Sequence, residues 1–501
     1  MSESVISANK ELLAKIDPQS LFRFFADISS IPRCSGNTAA VSDYLESFAR
    51  ERKLDCRRDQ VGNIIIRKGA QKSASVTGVI LQAHQDMVCL KEPNSRHDFA
   101  DDPIKLVLDG DWLRAEGTTL GADDGLGVAV ILAIIDDQDL AHPPLEGLFT
   151  VDEETTMAGA QAIRAEQLQG GVLINIDAEE YGVAYVSSAA GVSYTLSIPV
   201  KRQAKIEGDM WRIVVSGLRG GHSGSEINRE TANAFVLMSR LLAGAIDSGL
   251  NFGLCSLANG SAPGAENAIA LRAEALISLE NPGAEIELKA IAGKWEAVFK
   301  KEFRVSDPGV RVELRPETGG SPPPLTPESR DRLLAAVRLM PLGLARFVQE
   351  EDFLSRAFGE RLVETSNNLG IVETQENESL LKFMARGSLA SSLEELKARF
   401  EILAALVGGR LTENSYIAGW EMDVPPSRIQ KLFSEQGWKL FGVHAGLECG
   451  TIAGAMAKAG RHLEAISIGP DVIGAHTTQE RLGLSSVAAF WQDLTTILAK
   501  L

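Results

Sequence analysis

Five side chains in this sequence, His84, Asp123, Glu154, Asp177 and His476, are of the types that bind divalent cations. Each follows an apolar run or sits in a Gly-containing loop. Two imidazoles and three carboxylates are the set that two zinc ions need when one carboxylate is shared. Each ion then takes one His, one terminal carboxylate and the bridge, and room remains for a water between them. Singly, none of these residues decides anything. Asp123 and Asp124 precede the apolar segment Leu126–Ile135, and alone they read as an N-cap with Asp124 as the acid of the first helical turn. Any one of the seven histidines alone reads as a surface or satisfied core residue. Read together, the five point to a centre for two cations.

Such a centre needs elements that deliver side chains from distant parts of the chain to one place. Helical periodicity covers Ser20–Ser29 and Thr38–Arg52, the second capped from Ser35–Asn37. Asp55–Asp59 and Asn63–Lys68 read as strands joined at Val61-Gly62. Val76–Ala83, Pro143–Val151 and Gly171–Ile176 are nearly continuous apolar runs, as buried parallel strands are. They lead into His84-Gln85-Asp86, Asp152-Glu153-Glu154 and Asp177, at the carboxyl ends where open α/β sheets bind ligands. Ala158–Ala165 reads as helix. From about residue 190 the texture alternates instead: strands at Val192–Pro199, Met210–Ser216, Val310–Arg315 and Leu380–Ala385, and helices at Thr231–Ala245, Ile286–Phe303 and Ser391–Val407. The run Ser321–Pro324 reads as a surface loop or internal linker. Near Pro425 the α/β texture returns, with helix Pro426–Glu435 and strand Ala465–Ile468. The expected architecture is an α/β domain over 1–190 and 421–501, interrupted by an α+β domain over 191–420.

Composition narrows the function classes. The chain has 501 residues, 45% hydrophobic, which suits a globular protein of more than one core. A formal net charge of −17 argues against nucleic acid and anionic membrane surfaces as partners. No apolar run is long enough to span a bilayer, and Met1–Lys15 has no leader pattern. The five cysteines are an odd count, widely spaced and without a Cys-x-x-Cys pair, so the expectation is a reduced cytoplasmic protein without a thiolate metal site.

The order of motifs resembles the co-catalytic zinc peptidases that include carnosinases, aminoacylases and glutamate carboxypeptidases. It runs Gln82-Ala83-His84-Gln85-Asp86-Met87-Val88, Gly117–Gly125, Thr150–Glu154, Asn175-Ile176-Asp177 and Gly220-Gly221-His222-Ser223-Gly224. His444–Gly450, Ser467–Pro470, His476 and Val363–Ser366 narrow the resemblance to bacterial aminoacyl-histidine dipeptidases. It covers residue 18 to the end.

That resemblance implies a discontinuous catalytic domain with a large inserted lid, and hydrolysis of dipeptides, Xaa-His among them, by a metal-bound hydroxide. It makes Asp123 the bridge, His84 and Asp177 the ligands of one ion, and Glu154 and His476 those of the other. Glu153 becomes the general base and Asp86 the carboxylate that orients His84. His222 resembles an oxyanion donor, whereas on spacing alone a turn histidine beside flexible glycines reads equally well. Asn267 and Arg386 resemble substrate-binding positions, Arg386 suiting a peptide carboxylate; alone, either reads as a surface residue. His444, Gly446 and Glu448 belong to a loop that shapes the pocket. Zinc is the implied ion, with manganese or cobalt as alternatives. Homodimers occur among such relatives, and donation of His222 within one chain or across a dimer stays open. Two departures are Asp152, where relatives often have Thr, and Gln85, where they commonly carry an apolar residue. The competing readings are an N-acyl amino acid deacylase or tripeptidase, and a non-catalytic scaffold; the retained ligands and Glu153 disfavour the scaffold.

Overall fold

The computed structural model describes residues 2–73, 75–204, 208–260, 264–281, 283–318, 321–348, 362–423 and 425–501. The chain divides into two compact units. One comprises Met1–Ser188, Trp420–Gly442 and Leu447–Leu501, the other Ala189–Gly419 and Val443–Gly446. The short return of Val443–Gly446 to the second unit had no mark in the sequence texture.

The first unit is built on an eight-stranded sheet. In spatial order its strands are Asp55–Arg58, Ile64–Lys68, Leu145–Thr150, Val79–His84, Val172–Asn175, Glu464–Ser467, Val183–Ser188 and Lys439–Val443. Val79–His84 pairs in parallel with both Leu145–Thr150 and Val172–Asn175, and the latter pairs in parallel with Glu464–Ser467. These central strands are buried on both faces, which explains their unbroken apolar runs. The first begins at Val79 rather than Val76, whose side chain is exposed.

The helix Ala122–Asp136 lies against this sheet, with Leu126 and Val128–Ile135 all buried. Each buried Leu, Val or Ile among them contributes roughly 1.5–3 kcal/mol, enough to anchor the polar loop at the helix start. The expected cap of the helix Ala39–Glu51 is not formed: Thr38 is its N-cap without a side-chain bond, and Ser35 Oγ donates to Asp86 Oδ2 at 2.8 Å. The helix after Glu154 is shorter than expected, Ala158–Ala162, with a 3-10 turn at Ala165–Gln167. Cysteine usage also differs from expectation. Cys34 and Cys89 form a disulfide, because Cys34 bridges to Met87 and this brings the two Cα atoms within 5.6 Å; Cys56, Cys255 and Cys449 are free.

The second unit is a nine-stranded sheet, antiparallel in its recorded pairings, with the helices Ala234–Asp247, Ala284–Glu302, Pro327–Leu339 and Ala390–Leu406. Its alternating strands put one face into a core that includes Leu196, Ile213, Phe235, Leu254, Phe299, Phe383 and Phe400. Among the described residues no helix is long and apolar enough to cross a membrane.

Candidate metal centre

The carboxyl ends of three adjacent parallel strands meet the start of the buried helix. His84 is the last residue of its strand, Asp177 follows Val172–Asn175 by two residues, and Glu153 and Glu154 lie just beyond Leu145–Thr150. His476 comes from the loop between Val472–Ile473 and Arg481–Gly483. The two oxygens of Asp123 face different imidazoles: Oδ1 lies 3.0 Å from His84 Nε2, and Oδ2 lies 3.1 Å from His476 Nε2. His84 Nε2 is also 3.5 Å from Asp177 Oδ1, and His476 Nε2 is 2.8 Å from Glu154 Oε2. Two ligands on one tetrahedral ion with ~2.0–2.1 Å bonds are separated by about 3.3 Å, close to these spacings. The buried Glu154 Oε1 has no hydrogen-bond partner among the described residues, as a cation ligand would not. The donor set therefore fits two divalent ions. His84, Asp123 and Glu154 form one compact metal-type group, and His84, Asp124 and Asp177 form another.

The appearance of Asp124 in that second group calls for a choice between it and Asp123. Both Asp124 oxygens already accept backbone N–H groups, Oδ2 from His84 at 3.1 Å and Oδ1 from Gly127 at 3.1 Å. Asp124 is thus a buried clamp between strand and helix. It is not the first-turn acid expected from the sequence, because its backbone is non-helical. Asp86 contacts both His84 and the segment that carries the two glutamates. His84 Nδ1 sits 3.1 Å from the Asp86 carbonyl oxygen and 3.4 Å from Oδ1, while the carboxylate accepts from the Glu153 and Glu154 N–H groups at 3.1 and 3.3 Å. Burial raises the Asp86 pKa, but hydrogen bonds from His84, Ser35 and the Glu153 backbone outweigh it and hold the group at about 2.

A second polar cluster lies within the other unit. Arg386, on the strand Glu378–Gly387, is buried, and among the described residues it has no carboxylate partner. Its Nη2 stands 3.4 Å from His222 Nε2. The Ser225 N–H donates to His222 Nδ1 at 3.2 Å, and Ser225 Oγ lies 3.2 Å from the same nitrogen. The Arg386 guanidinium and the His222 ring thus meet at one corner of this unit. Gly224 closes this corner: a Cβ there would lie 2.5 Å from the His444 carbonyl oxygen and 3.0 Å from the His222 ring. His444 is buried, with Nε2 2.8 Å from Ser366 Oγ. Asn267 is exposed, and its carbonyl accepts from Ser223 N–H at 2.8 Å; Gly446 is half-buried at the end of its segment.

Peptidase family M20/M25/M40 matches residues 80–491. The chain belongs to that family. It is 33% identical over 498 residues to the cytosol non-specific dipeptidase of Escherichia coli (strain K12), covering 98% of this chain and 99% of the relative. Among solved structures it resembles the aminoacylhistidine dipeptidase from Vibrio alginolyticus, with 30% identity, a TM-score of 0.82 and 98% of each chain covered. A tripeptidase from Staphylococcus aureus, 16% identical with a TM-score of 0.56 over 97% of this chain and 98% of that one, shares the fold. The resemblance read from the motifs is thereby borne out, and the protein is a hydrolase of peptide bonds.

Around the centre of this M20 peptidase, carboxylates outnumber the local cations. Burial and the nearby Asp123 and Glu154 push Asp177 up to about 7, against the pull of His84. Burial, with Asp177, Glu448 and Glu154 close by, pushes Glu153 well above the usual carboxylate range. Asp123 and Glu154 push the His476 imidazole up to about 11. Charge of this density, shielded from water, calls for a cation.

The hydrogen-bond partners of several site residues, and the part of Arg33 and Glu480, were not read from the sequence. Gln82 donates to Glu448 Oε2 at 2.5 Å and accepts from Asn175 at 2.7 Å, and Thr150 also donates to Glu448, at 2.7 Å. Gln82, Thr150 and Asn175 lie in the strands that lead to the ligands, and Glu448 opens the helix Glu448–Lys458. Arg33 and Glu480 flank the Asp123 loop. Their only marks in the sequence are that Arg33 directly follows Pro32 and that Glu480 stands four positions after His476. Gln85, an apparent misfit in a core, is satisfied by Ser42 at 2.8 Å and the Phe149 carbonyl at 2.8 Å. Asp152 accepts from the Gly36 N–H at 2.6 Å.

Proposed function

We propose that this M20 peptidase is a cytosolic metal-dependent dipeptidase whose His84, Asp123, Glu154, Asp177 and His476 hold two divalent ions, zinc first among them. The observation that carries this reading is the division of the Asp123 oxygens between His84 and His476. Asp123 would bridge the two ions, with His84 and Asp177 holding one and Glu154 and His476 the other. When bound, the ions supply Lewis-acid polarisation of the scissile carbonyl and make water acidic enough to ionise near neutrality.

The chain's own groups do the rest. Glu153, with its raised proton affinity, takes a proton from the attacking water and returns it to the leaving amine. Asp86 fixes both the His84 ring and the Glu153–Glu154 backbone. Arg386 pairs with the substrate carboxylate, and His222 Nε2–H donates to charge developing on the scissile oxygen. The names of the two full-length relatives support dipeptides as substrates, Xaa-His included. The inserted unit serves as the substrate-binding lid, and homodimerisation is part of the proposal.

The test is a panel of dipeptides, C-amidated dipeptides, tripeptides and N-acyl amino acids offered to zinc- and manganese-loaded protein. Free dipeptides should be hydrolysed fastest, and amidation should lower kcat/KM. Turnover of N-acyl amino acids with dipeptides untouched would replace this reading by deacylation.

A further inference from the structure

The loop Leu120–Asp123 leaves four backbone N–H groups pointing away from its helix, and one side chain takes them all. Glu480 Oε2 accepts from Leu120 at 2.8 Å and Gly121 at 2.9 Å, and Oε1 accepts from Ala122 at 2.8 Å and Asp123 at 3.3 Å. Glu480 is buried, with only 3% of its surface exposed, and lies four residues beyond His476. On the other side of the same loop, the buried Arg33 guanidinium donates to the Gly121 carbonyl. It also donates to the Asp86 carbonyl at 2.8 Å and the Gln85 carbonyl at 3.2 Å. A side-chain carbon at Gly121 would lie 2.6 Å from Arg33, so the loop is seated tightly against it.

We propose that Glu480 is a positioning residue for the metal centre: it fixes the direction of the Asp123 carboxylate by holding its backbone, with Arg33 as the opposing clamp. Three ligand-bearing segments are tied by two charged side chains. Arg33 links the segment after His84 to the Asp123 loop, and Glu480 links that loop to the segment after His476. A bridging carboxylate must address two ions at once, so a small rotation of its backbone misdirects both oxygens. Neither Glu480 nor Arg33 is itself offered as a ligand. Glu480 has its two oxygens engaged by N–H groups, and Arg33 has no acceptor. The inference rests on the reading of Asp123 as the bridge.

The experiment compares Glu480→Gln, Glu480→Asp and Asp123→Asn with the wild-type chain. Metals bound per chain are measured after equilibration with buffered zinc, and visible spectra are recorded with cobalt. An amide NH2 in place of one oxygen opposes two of the N–H donors, so Glu480→Gln should lose roughly 10–100-fold in metal affinity, the usual effect of disturbing a ligand's support. Its cobalt spectrum at saturation should differ from that of wild type, and Glu480→Asp should recover part of the loss. Wild-type affinity and spectrum in Glu480→Gln, beside metal loss in Asp123→Asn, would overturn the positioning role alone. Two ions retained by Asp123→Asn would overturn the bridge on which it rests. Should Glu480→Gln fail to fold, amide hydrogen exchange on the wild-type chain stripped of metal decides. Slow exchange at Leu120–Asp123 is expected, and exchange at the rate of open loops would refute the clamp.

Discussion

Each unit of this peptidase holds a buried cluster of one sign, acidic around Asp123 in the first and cationic at Arg386 in the second. In the first, Asp123, Asp124, Glu153, Glu154, Asp177 and Glu448 interact with the imidazoles of His84 and His476, and burial raises the proton affinity of Glu153, Asp177 and Glu448. In the second, Arg386 is buried with no carboxylate partner among the described residues, and burial lowers its pKa to about 10. Burial beside Arg386 also lowers His222 to about 4 and His444 to about 3, so both rings are neutral at physiological pH. A folded protein rarely retains buried charge without a partner, since the desolvation cost is several kcal/mol per ion. The first cluster suits a cation and the second an anion.

The largest expected effect breaks the acidic cluster at its proton carrier. Glu153→Gln should cut kcat by roughly 10²–10⁴-fold with metal content unchanged. Glu154→Gln should instead lower metal occupancy, and an exchange of these phenotypes would shift the assigned register by one residue. In the cationic cluster, His222→Ala should lower kcat by roughly 10²–10³-fold, as loss of one oxyanion donor does. Metal content should stay the same, and a wild-type rate would remove His222 from the chemistry. Arg386→Gln should lower kcat/KM by roughly 10–100-fold, the worth of a hydrogen bond to a charged group. That loss should be seen with free dipeptides and not with their C-amides. Equal losses on both would detach Arg386 from the substrate carboxylate.

The smallest effect concerns pH. His444 binds a proton near pH 6.5 when unfolded but only at about 3 when folded, so the unfolded chain gains protons first as pH falls. Its contribution to stability is complete above about pH 6.5 and declines between there and pH 3. Urea midpoints should therefore drop less steeply on acidification in a folded His444→Gln variant than in wild type, and a His444 NMR titration midpoint near 6.5 would contradict the burial argument.

Strands were legible where a single physical cause set the pattern. Val79–His84 and Leu145–Thr150 are buried on both faces, and their apolar runs say so without reference to anything distant. His84 and Asp177 stood out as candidates because they end or follow such runs. The roles of Asp124, Arg33 and Glu480 were not, because each is defined by backbone groups far away in sequence. Glu480 lies 357 positions from Asp123 along the chain, and nothing in its neighbours records that distance. The Cys34–Cys89 pair failed for the same reason: the bridge between Cys34 and Met87 that brings the sulfurs together leaves no periodic trace.

The central claim is that Asp123 serves two ions at once, and metal stoichiometry tests it most directly. Protein stripped by a chelator should lose dipeptide hydrolysis, and titration with zinc should restore it, with binding that saturates at two ions per chain. Full turnover in the stripped protein, or full recovery and saturation at one ion, would contradict it.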